Sequence, residues 1–104
     1  LSHESIQYLI PNSFPVRYLD SASLMDHLHK WSTRLCYNAQ EEIWQVTVDE
    51  VKAVNKICPT IGKYLLPPCG SRKISGHTPV CPEGDRFCGV PVWKLKLNQY
   101  KRLL

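Results

Sequence analysis

The sequence lacks the features of a membrane protein and of an exported protein. No apolar run approaches the roughly 18 residues that a membrane-spanning helix needs. The stretch 1–14 has neither a basic start nor a long apolar centre, so it does not resemble a signal peptide. Internal repeats and low-complexity tracts are also absent. We therefore expect a cytoplasmic protein without a membrane partner, whose 104 residues form one domain or a piece of one.

Acidic residues are scarce in the last third of the chain. Residues 69–104, called the tail below, have seven Lys and Arg against two acids and a net charge of +5, whereas residues 1–68 have a net charge of −1. An anionic partner such as a nucleotide or a nucleic acid would therefore meet the tail first. The alternative is that this charge only keeps the chain in solution. The hydrophobic content of 43% and charged content of 21% are typical of a folded chain.

A strand followed by a helix is predicted near the start of the chain. Apolar residues alternate with polar ones over Phe14–Leu19, which is typical of a strand with one buried face. Pro15 has no amide donor, so it belongs at the start of this strand or on a sheet edge. Asp20 or Ser21 is a suitable N-cap for a helix over about residues 22–31.

A long apolar stripe with helical spacing runs from Asn38 to Leu65. It predicts either one long helix, or a short helix and then a second one from Thr47, where Thr47-Val48-Asp49-Glu50 has the form of a capping box. Pro59 removes an amide donor and should kink or restart the helix. Pro67-Pro68 should end the helical run.

The tail has little periodicity between Cys69 and Cys88, where glycine and proline are frequent. Such a segment cannot fold on a hydrophobic core of its own, so something must hold it in place. Alternation over residues 90–97 then predicts a short strand. The expected fold is α+β and mainly helical. Its body, residues 1–68, has one strand leading into two helices, and the tail follows with a cysteine-rich loop and a short terminal strand.

Five cysteines is a high number for a chain without an export signal. None of them form a Cys-x-x-Cys pair, the usual arrangement in a zinc site. A cluster with metal-binding potential is formed by Cys58, Cys69, Cys81 and Cys88, and His77 could replace Cys58 in it. Four thiol or imidazole ligands suit a tetrahedral zinc ion. The sequence leaves three alternatives open for this cluster: a structural metal, disulfides, or unlinked thiols.

Cys36 lies outside that cluster and follows Arg34 by two residues. A neighbouring guanidinium would favour the thiolate form of the cysteine. The preferred interpretation is nevertheless a small buried core residue.

The run Arg34-Leu35-Cys36-Tyr37-Asn38-Ala39-Gln40-Glu41-Glu42-Ile43 resembles a run in the flavin-dependent thymidylate synthases, the ThyX family. In that family a Leu-Arg is followed a few residues later by Ala-Gln-Trp-Glu-Ile. Upstream, Tyr8-Leu9-Ile10-Pro11-Asn12 resembles the family's Tyr-Leu-Leu-Pro stretch. Downstream, Cys58-Pro59 and the spacing of Cys69, Cys81-Pro82-Glu83-Gly84 and Cys88-Gly89 resemble a cysteine-rich tail in some members. The similarity therefore extends over nearly the whole chain.

The resemblance implies an activity and a set of partners. The family reductively methylates deoxyuridine monophosphate (dUMP), with methylenetetrahydrofolate as carbon donor and FAD with NADPH as reductant, in homotetramers whose sites are shared between subunits. The family's arginine in this run contacts the nucleotide, so Arg34 is the expected substrate-binding residue; a guanidinium can hold a phosphate or a uracil carbonyl. Ser21 stands where the family has a flavin-contacting asparagine, and Asn38 where it has histidine or arginine. These two are the expected cofactor-binding residues, and no catalytic residue is identified.

The chain also departs from the family pattern. The family's arginine near the flavin is Ser23 here, its tryptophan is Glu41, and about three extra residues precede Arg34. The Arg-His-Arg signature, which normally precedes the Tyr-Leu-Leu-Pro stretch, is absent from residues 1–104. The resemblance therefore implies the C-terminal portion of a longer enzyme, which we expect to be inactive by itself.

Two alternatives come from other functional classes. The first is a small zinc-stapled module that contacts nucleic acid through six of the basic residues of the tail, namely Arg72, Lys73, Lys94, Lys96, Lys101 and Arg102. The second is a non-catalytic structural relative that only oligomerises through its helix stripe. The aromatic residues of the tail are too few and too scattered for a convincing base-stacking platform, which counts against the first alternative.

Overall fold

The computed structural model describes residues 2–102, which form five α-helices and three short 3₁₀ turns. The helices are α1 (His3–Gln7), α2 (Leu24–Leu35), α3 (Glu41–Ile57), α4 (Pro59–Gly62) and α5 (Pro68–Ile74). The 3₁₀ turns are Gly84–Arg86, Val92–Lys94 and Leu97–Gln99. None of the helices in this range is long and apolar enough to cross a membrane.

Both predicted strands are wrong, since residues 2–102 contain no β-strand. Phe14–Leu19 has no regular secondary structure and is exposed, and it pairs with no other segment within the described residues. A period-two pattern describes only the direction of side chains, and a strand also needs a partner for its backbone groups. In residues 90–97 the apolar side chains are instead turned inward by the 3₁₀ turn Val92–Lys94, which follows Pro91. The fold is therefore all-helical within the described residues rather than α+β.

The predicted helices exist but their boundaries differ. Helix α2 starts later than expected, because Ser23 rather than Asp20 or Ser21 is its N-cap and accepts a hydrogen bond from the Asp26 amide. It also continues to Leu35. Helix α3 is one continuous helix, which agrees with the first of the two alternatives and excludes a helix start at Thr47. The Thr47 hydroxyl is buried inside the helix and donates to the carbonyl of Ile43.

Two of the eight prolines, Pro59 and Pro68, start helices. Pro59 restarts the chain as α4, which confirms the predicted break, and Cys58 separates α4 from α3. The predicted end of the helical run at Pro67-Pro68 comes earlier, since α4 ends at Gly62, and Pro68 instead opens α5 from its first position. At the first helical position the missing amide of proline has no partner to lose.

The core lies between α2, α3 and the end of the tail. Its buried apolar residues are Trp31, Leu35, Trp44, Val48, Val51, Leu65, Val92 and Tyr100. The residues from α2 and α3 follow the helical spacing that the sequence predicted. Val92 and Tyr100 come from the tail, so residues on both sides of position 68 share this core.

Residues 2–22, called the arm below, hardly take part in this core. Helix α1 has no buried residue, and every described residue of the arm is exposed. Tyr8 and Leu19 are 90% and 95% exposed. The radius of gyration of 16.8 Å exceeds the roughly 13 Å expected for a compact chain of this length. The arm therefore extends away from the helical body.

Helix α4 packs so closely against α3 that its last residue must be glycine. A Cβ atom at Gly62 would lie 2.7 Å from the backbone Cα of Asn55 and would overlap the Asn55 side chain. We expect Gly62→Ala to lower the free energy of unfolding by about 1–3 kcal/mol, as for other overpacked sites. Urea unfolding followed by circular dichroism measures this change. The control is Thr60→Ala at an exposed position of α4, which should stay within about 0.5 kcal/mol. Equal effects of the two variants would contradict the close packing.

Candidate functional site

The connection between α2 and α3, residues 36–40, is fixed by the first turn of α3. This connection is called the link below. The indole Nε1 of Trp44 donates to the carbonyl of Leu35, 3.1 Å away and buried. The last carbonyls of a helix have no partner within it. The tryptophan therefore caps α2 from the neighbouring helix and sets where the residues of its last turn lie.

Arg34 lies in that last turn, and its side chain is exposed. It borders an open depression together with Tyr18 of the arm and with Glu42, Ile43 and Val46 of α3. A cation at the C-terminal end of a helix is favoured by the helix dipole. Within residues 2–102, Arg34 is in no salt bridge. Its guanidinium is therefore available to an anionic group that enters the depression.

Lys30 joins the end of the arm to the helical body. Its Nζ lies 2.6 Å from Asp20 Oδ2 and 3.6 Å from Glu50 Oε2. Glu50 also accepts a hydrogen bond of 2.7 Å from the indole of Trp31. The hydrogen bond from Lys30 lowers the pKa of Asp20 below its ordinary value. These contacts hold the end of the arm beside α2. Asp20 follows Tyr18 by two residues, and Tyr18 borders the depression next to Arg34.

The tail returns to the link through an aromatic cluster. Tyr37 meets Trp44 and Tyr100 edge-on, at ring distances of 5.5 and 6.3 Å. The Tyr37 hydroxyl accepts a hydrogen bond of 3.0 Å from the Lys101 amide. The guanidinium of Arg102 lies 5.4 Å from the centre of the Trp44 ring, at cation–π distance.

Two further contacts hold the tail to the link and to the start of α3. The amide Nδ2 of Asn38 donates to the carbonyl of Arg86. Arg102 Nε lies 3.2 Å from Glu41 Oε2. The latter is a contact ion pair without good hydrogen-bond alignment, because Glu41 Oε2 has no hydrogen-bond partner in the described part of the chain. The tail is therefore bound to the link at several points.

Four cysteines lie around one small cavity, called the cysteine pocket below. Its cysteines are Cys36 of the link and Cys69, Cys81 and Cys88 of the tail. All four are half-buried and form no disulfide. Burial raises the pKa of the thiols of Cys36 and Cys69 above the ordinary value. Since burial favours the neutral thiol, the structure does not support the alternative in which Arg34 favours the thiolate of Cys36.

The predicted metal set is only partly brought together. Cys58 lies at the junction of α3 and α4 and does not line the cysteine pocket. His77 is exposed and does not line it either. Among residues 2–102, no three His, Cys, Asp or Glu side chains are arranged so that they could hold a metal ion as they stand. The set with Cys58 or His77 is therefore not assembled here.

The predicted flavin positions do not form a cofactor site by themselves. Ser21 is exposed on the arm, and the donor of the Asn38 side chain is engaged by the Arg86 carbonyl. A flavin needs a concave, mostly apolar site with a few converging polar groups. Within residues 2–102, these two residues provide no such enclosure.

Two of the tail cations predicted to contact nucleic acid have partners within the protein. Arg72 donates through Nε and Nη2 to the carbonyl of Pro79, at 3.0 and 2.9 Å. Arg102 pairs with Glu41. The positive charge of the tail thus contributes to its own packing, and the structure gives no specific support to a nucleic-acid surface.

Sequence reasoning missed the partners that bring the tail to the link. Tyr37 and Trp44 contact Tyr100, Lys101 and Arg102 of the tail across 58 to 64 positions, and local periodicity does not register such contacts. The place of Cys36 in the cysteine pocket was missed for the same reason. The signal available was the surplus of one cysteine over the four assigned to the metal set.

Comparison with protein families identifies the chain. The model of the family described as thymidylate synthase complementing protein, Thy1, matches residues 1–60. The chain belongs to this family. The match includes the arm, Arg34, the link and α3, so it confirms the resemblance read from the sequence.

Individual relatives agree with the family match. A flavin-dependent thymidylate synthase of Geobacter sulfurreducens is 28% identical over 100 residues, which are 96% of this chain and 38% of that protein. One of Clostridium tetani is 28% identical over 86 residues, which are 83% of this chain and 32% of that protein. The chain thus spans less than two fifths of the length of these curated relatives. No solved structure matches the chain.

Packing of the tail against the link can be tested through Tyr100. Burial raises its pKa to about 12, above the value near 10 of an exposed tyrosine. Folding therefore favours the neutral hydroxyl. The resulting stability is fully present below about pH 10 and is lost as the pH rises towards 12.

We expect the urea midpoint of the wild-type protein to fall more steeply between pH 9 and 11.5 than that of Tyr100→Phe. The variant has no ionisable group at position 100. Comparison of each protein with its own midpoint at pH 8 removes any difference in basal stability. Parallel curves for the two proteins would contradict the buried position of Tyr100.

Proposed function

We propose that this chain is a portion of a flavin-dependent thymidylate synthase and contributes part of the pocket for dUMP. The observation that carries the proposal is Arg34, which the family match includes and which is exposed beside an open depression. Of the family's expected functions, the chain's own residues best support anion binding. The assignment to the C-terminal portion is part of the same proposal.

The role of Arg34 follows from the chemistry of the guanidinium. Its planar fork of donors matches the oxygens of a phosphate and remains charged at any physiological pH. The Trp44–Leu35 hydrogen bond fixes the helix turn that carries it, so little ordering is needed when the ligand binds. Glu42 borders the same depression and would repel a phosphate placed beside it. The phosphate is therefore expected on the side of the depression away from Glu42.

The remaining parts of the reaction belong to other segments. A flavin cofactor is proposed because the relatives are flavin-dependent. Its identity as FAD, and the use of NADPH and methylenetetrahydrofolate, are proposed from the family resemblance. The residues Ser21 and Asn38 do not enclose a flavin, and the Arg-His-Arg signature is absent from these 104 residues. We therefore expect no thymidylate synthesis from this chain in isolation.

The arm supports assembly with other subunits. Its large apolar side chains, among them Tyr8, Phe14 and Leu19, are 45–95% exposed. Exposed apolar side chains that form a large patch are typical of an interface. We propose that homo-oligomer formation, as a tetramer by family resemblance, covers the arm and places Tyr18 and Arg34 at a shared site.

Nucleotide binding tests the role of Arg34. Arg34→Ala is expected to weaken dUMP binding by about 10- to 100-fold, since hydrogen bonds to charged groups contribute about 1.5–3 kcal/mol. Isothermal titration calorimetry on the protein at its natural length measures this change. The control is Lys56→Ala, which removes an exposed cation from the last turn of α3. Unchanged affinity in Arg34→Ala would remove the proposal, and equal losses in both variants would indicate only a nonspecific charge effect.

Sedimentation velocity tests the role of the arm. Leu19→Asp places a charge on a 95% exposed apolar position and is expected to shift the oligomer towards smaller species. Asn12→Asp adds the same charge at an exposed polar position of the arm and should leave the distribution unchanged. An unaltered oligomer in Leu19→Asp would exclude this surface from the interface.

A further inference from the structure

The cysteine pocket combines residues that are far apart in the chain. Cys36 belongs to the link, whereas Cys69 is in α5 and Cys81 and Cys88 lie on either side of the 3₁₀ turn Gly84–Arg86. We propose that these four cysteines bind one structural zinc ion, which joins the tail to the link. This inference does not depend on the proposed synthase function.

The size of the pocket suits a single ion. The cavity that the four cysteines line has a volume of about 20 Å³. A volume of roughly 10–15 Å³ is the minimum for one water molecule, so an organic ligand would not fit. Four thiolates surround zinc tetrahedrally at about 2.3 Å from the metal. One small cation is therefore the occupant that fits both the space and the soft ligands.

The surroundings of the sulfurs also suit thiolate ligands. Positive charge is close at hand, since Lys101 and Arg102 border a cavity that Cys88 shares. These cations would compensate part of the net −2 charge of a zinc ion with four thiolates.

Binding requires a small rearrangement of the thiols. In the part of the chain that the structure describes, they are not arranged at ligand positions, and Cys88 Sγ lies 3.5 Å from the carbonyl of Val90, as in a weak thiol donor bond. A metal-bound thiolate has no proton to donate, so zinc binding would break this contact. Rotation of the four side chains into the shared cavity is the movement that we infer.

The tail has a structural need for such an ion. From Ser75 to Phe87 almost every residue is exposed, and α5 is only seven residues long. Small segments without a core of their own are commonly held by a metal or by disulfides. A zinc ion between Cys36 and the tail cysteines would hold this segment to the link, two residues from Arg34.

The metal content of the purified protein tests the proposal. After expression in zinc-containing medium and purification without a histidine tag, native mass spectrometry and elemental analysis are expected to find one zinc per chain. Release by a thiol-modifying reagent, followed with a colorimetric zinc indicator, should return the same amount. A zinc-free chain of full thiol mass would overturn the proposal. A mass lower by two or four hydrogens would also overturn it, in favour of disulfides.

Matched cysteine variants test the ligand set. Cys36→Ser should weaken zinc binding at least about tenfold, because loss of a ligand costs no less than loss of a second-shell partner. Cys58→Ser removes a half-buried cysteine outside the pocket and should keep one zinc. Glu83 also borders the pocket, and Glu83→Gln should keep the zinc as well. Loss of zinc in Cys58→Ser, with retention in Cys36→Ser, would overturn the assignment.

Cobalt substitution provides a test that needs no variant to fold. The wild-type protein, reconstituted with Co²⁺, is expected to show the intense visible bands of a tetrahedral site and the sulfur-to-metal charge-transfer band of thiolate ligands. A weak octahedral spectrum without charge transfer would contradict a site made of four cysteines. Because this readout involves no nucleotide, it is independent of the outcome for dUMP binding.

Discussion

The hydrogen bond from the Trp44 indole to the Leu35 carbonyl is the contact on which the rest of the structure depends. It connects the last turn of α2 with the first turn of α3 in a buried setting. Loss of this donor would leave a buried carbonyl without a partner, at a cost of about 1–3 kcal/mol. The ring of Tyr37 packs edge-on against the same tryptophan, and the guanidinium of Arg102 lies at cation–π distance from its ring. The position of Arg34, the course of the link and the return of the tail therefore all depend on one side chain.

Two residues that depart from the family pattern, one in the link and one at the start of α3, contact the tail. Asn38 stands where the family has histidine or arginine, and its amide binds the Arg86 carbonyl. Glu41 stands where the family has tryptophan, and it pairs with Arg102. The family match ends at residue 60, before the tail begins. The tail thus contacts both of the residues that differ from the family pattern at these positions.

Helical structure could be predicted from the sequence because it is encoded locally. The spacing of Trp44, Val48 and Val51 identified the buried face of α3, and Pro59 marked the break after it. The two strands were wrong because alternation says nothing about the presence of a pairing partner. Arg34 could be identified only through resemblance, since its exposed position and open depression leave no mark in local periodicity. The sequence grouped Cys69, Cys81 and Cys88 but not Cys36, because only the fold brings Cys36 beside the tail.

The exposed arm has a consequence for the thermodynamics of the protein. Residues 2–22 bury almost nothing within their own chain, so the entropy of ordering them is not offset by internal contacts. If subunit association covers the arm, its order becomes a function of protein concentration through mass action. The apparent melting temperature would then rise on concentration and fall on dilution, while the core around Trp44 and Val51 retains its own stability. The order of the arm would then depend on the assembly, whereas the stability of the core would depend only on the single chain.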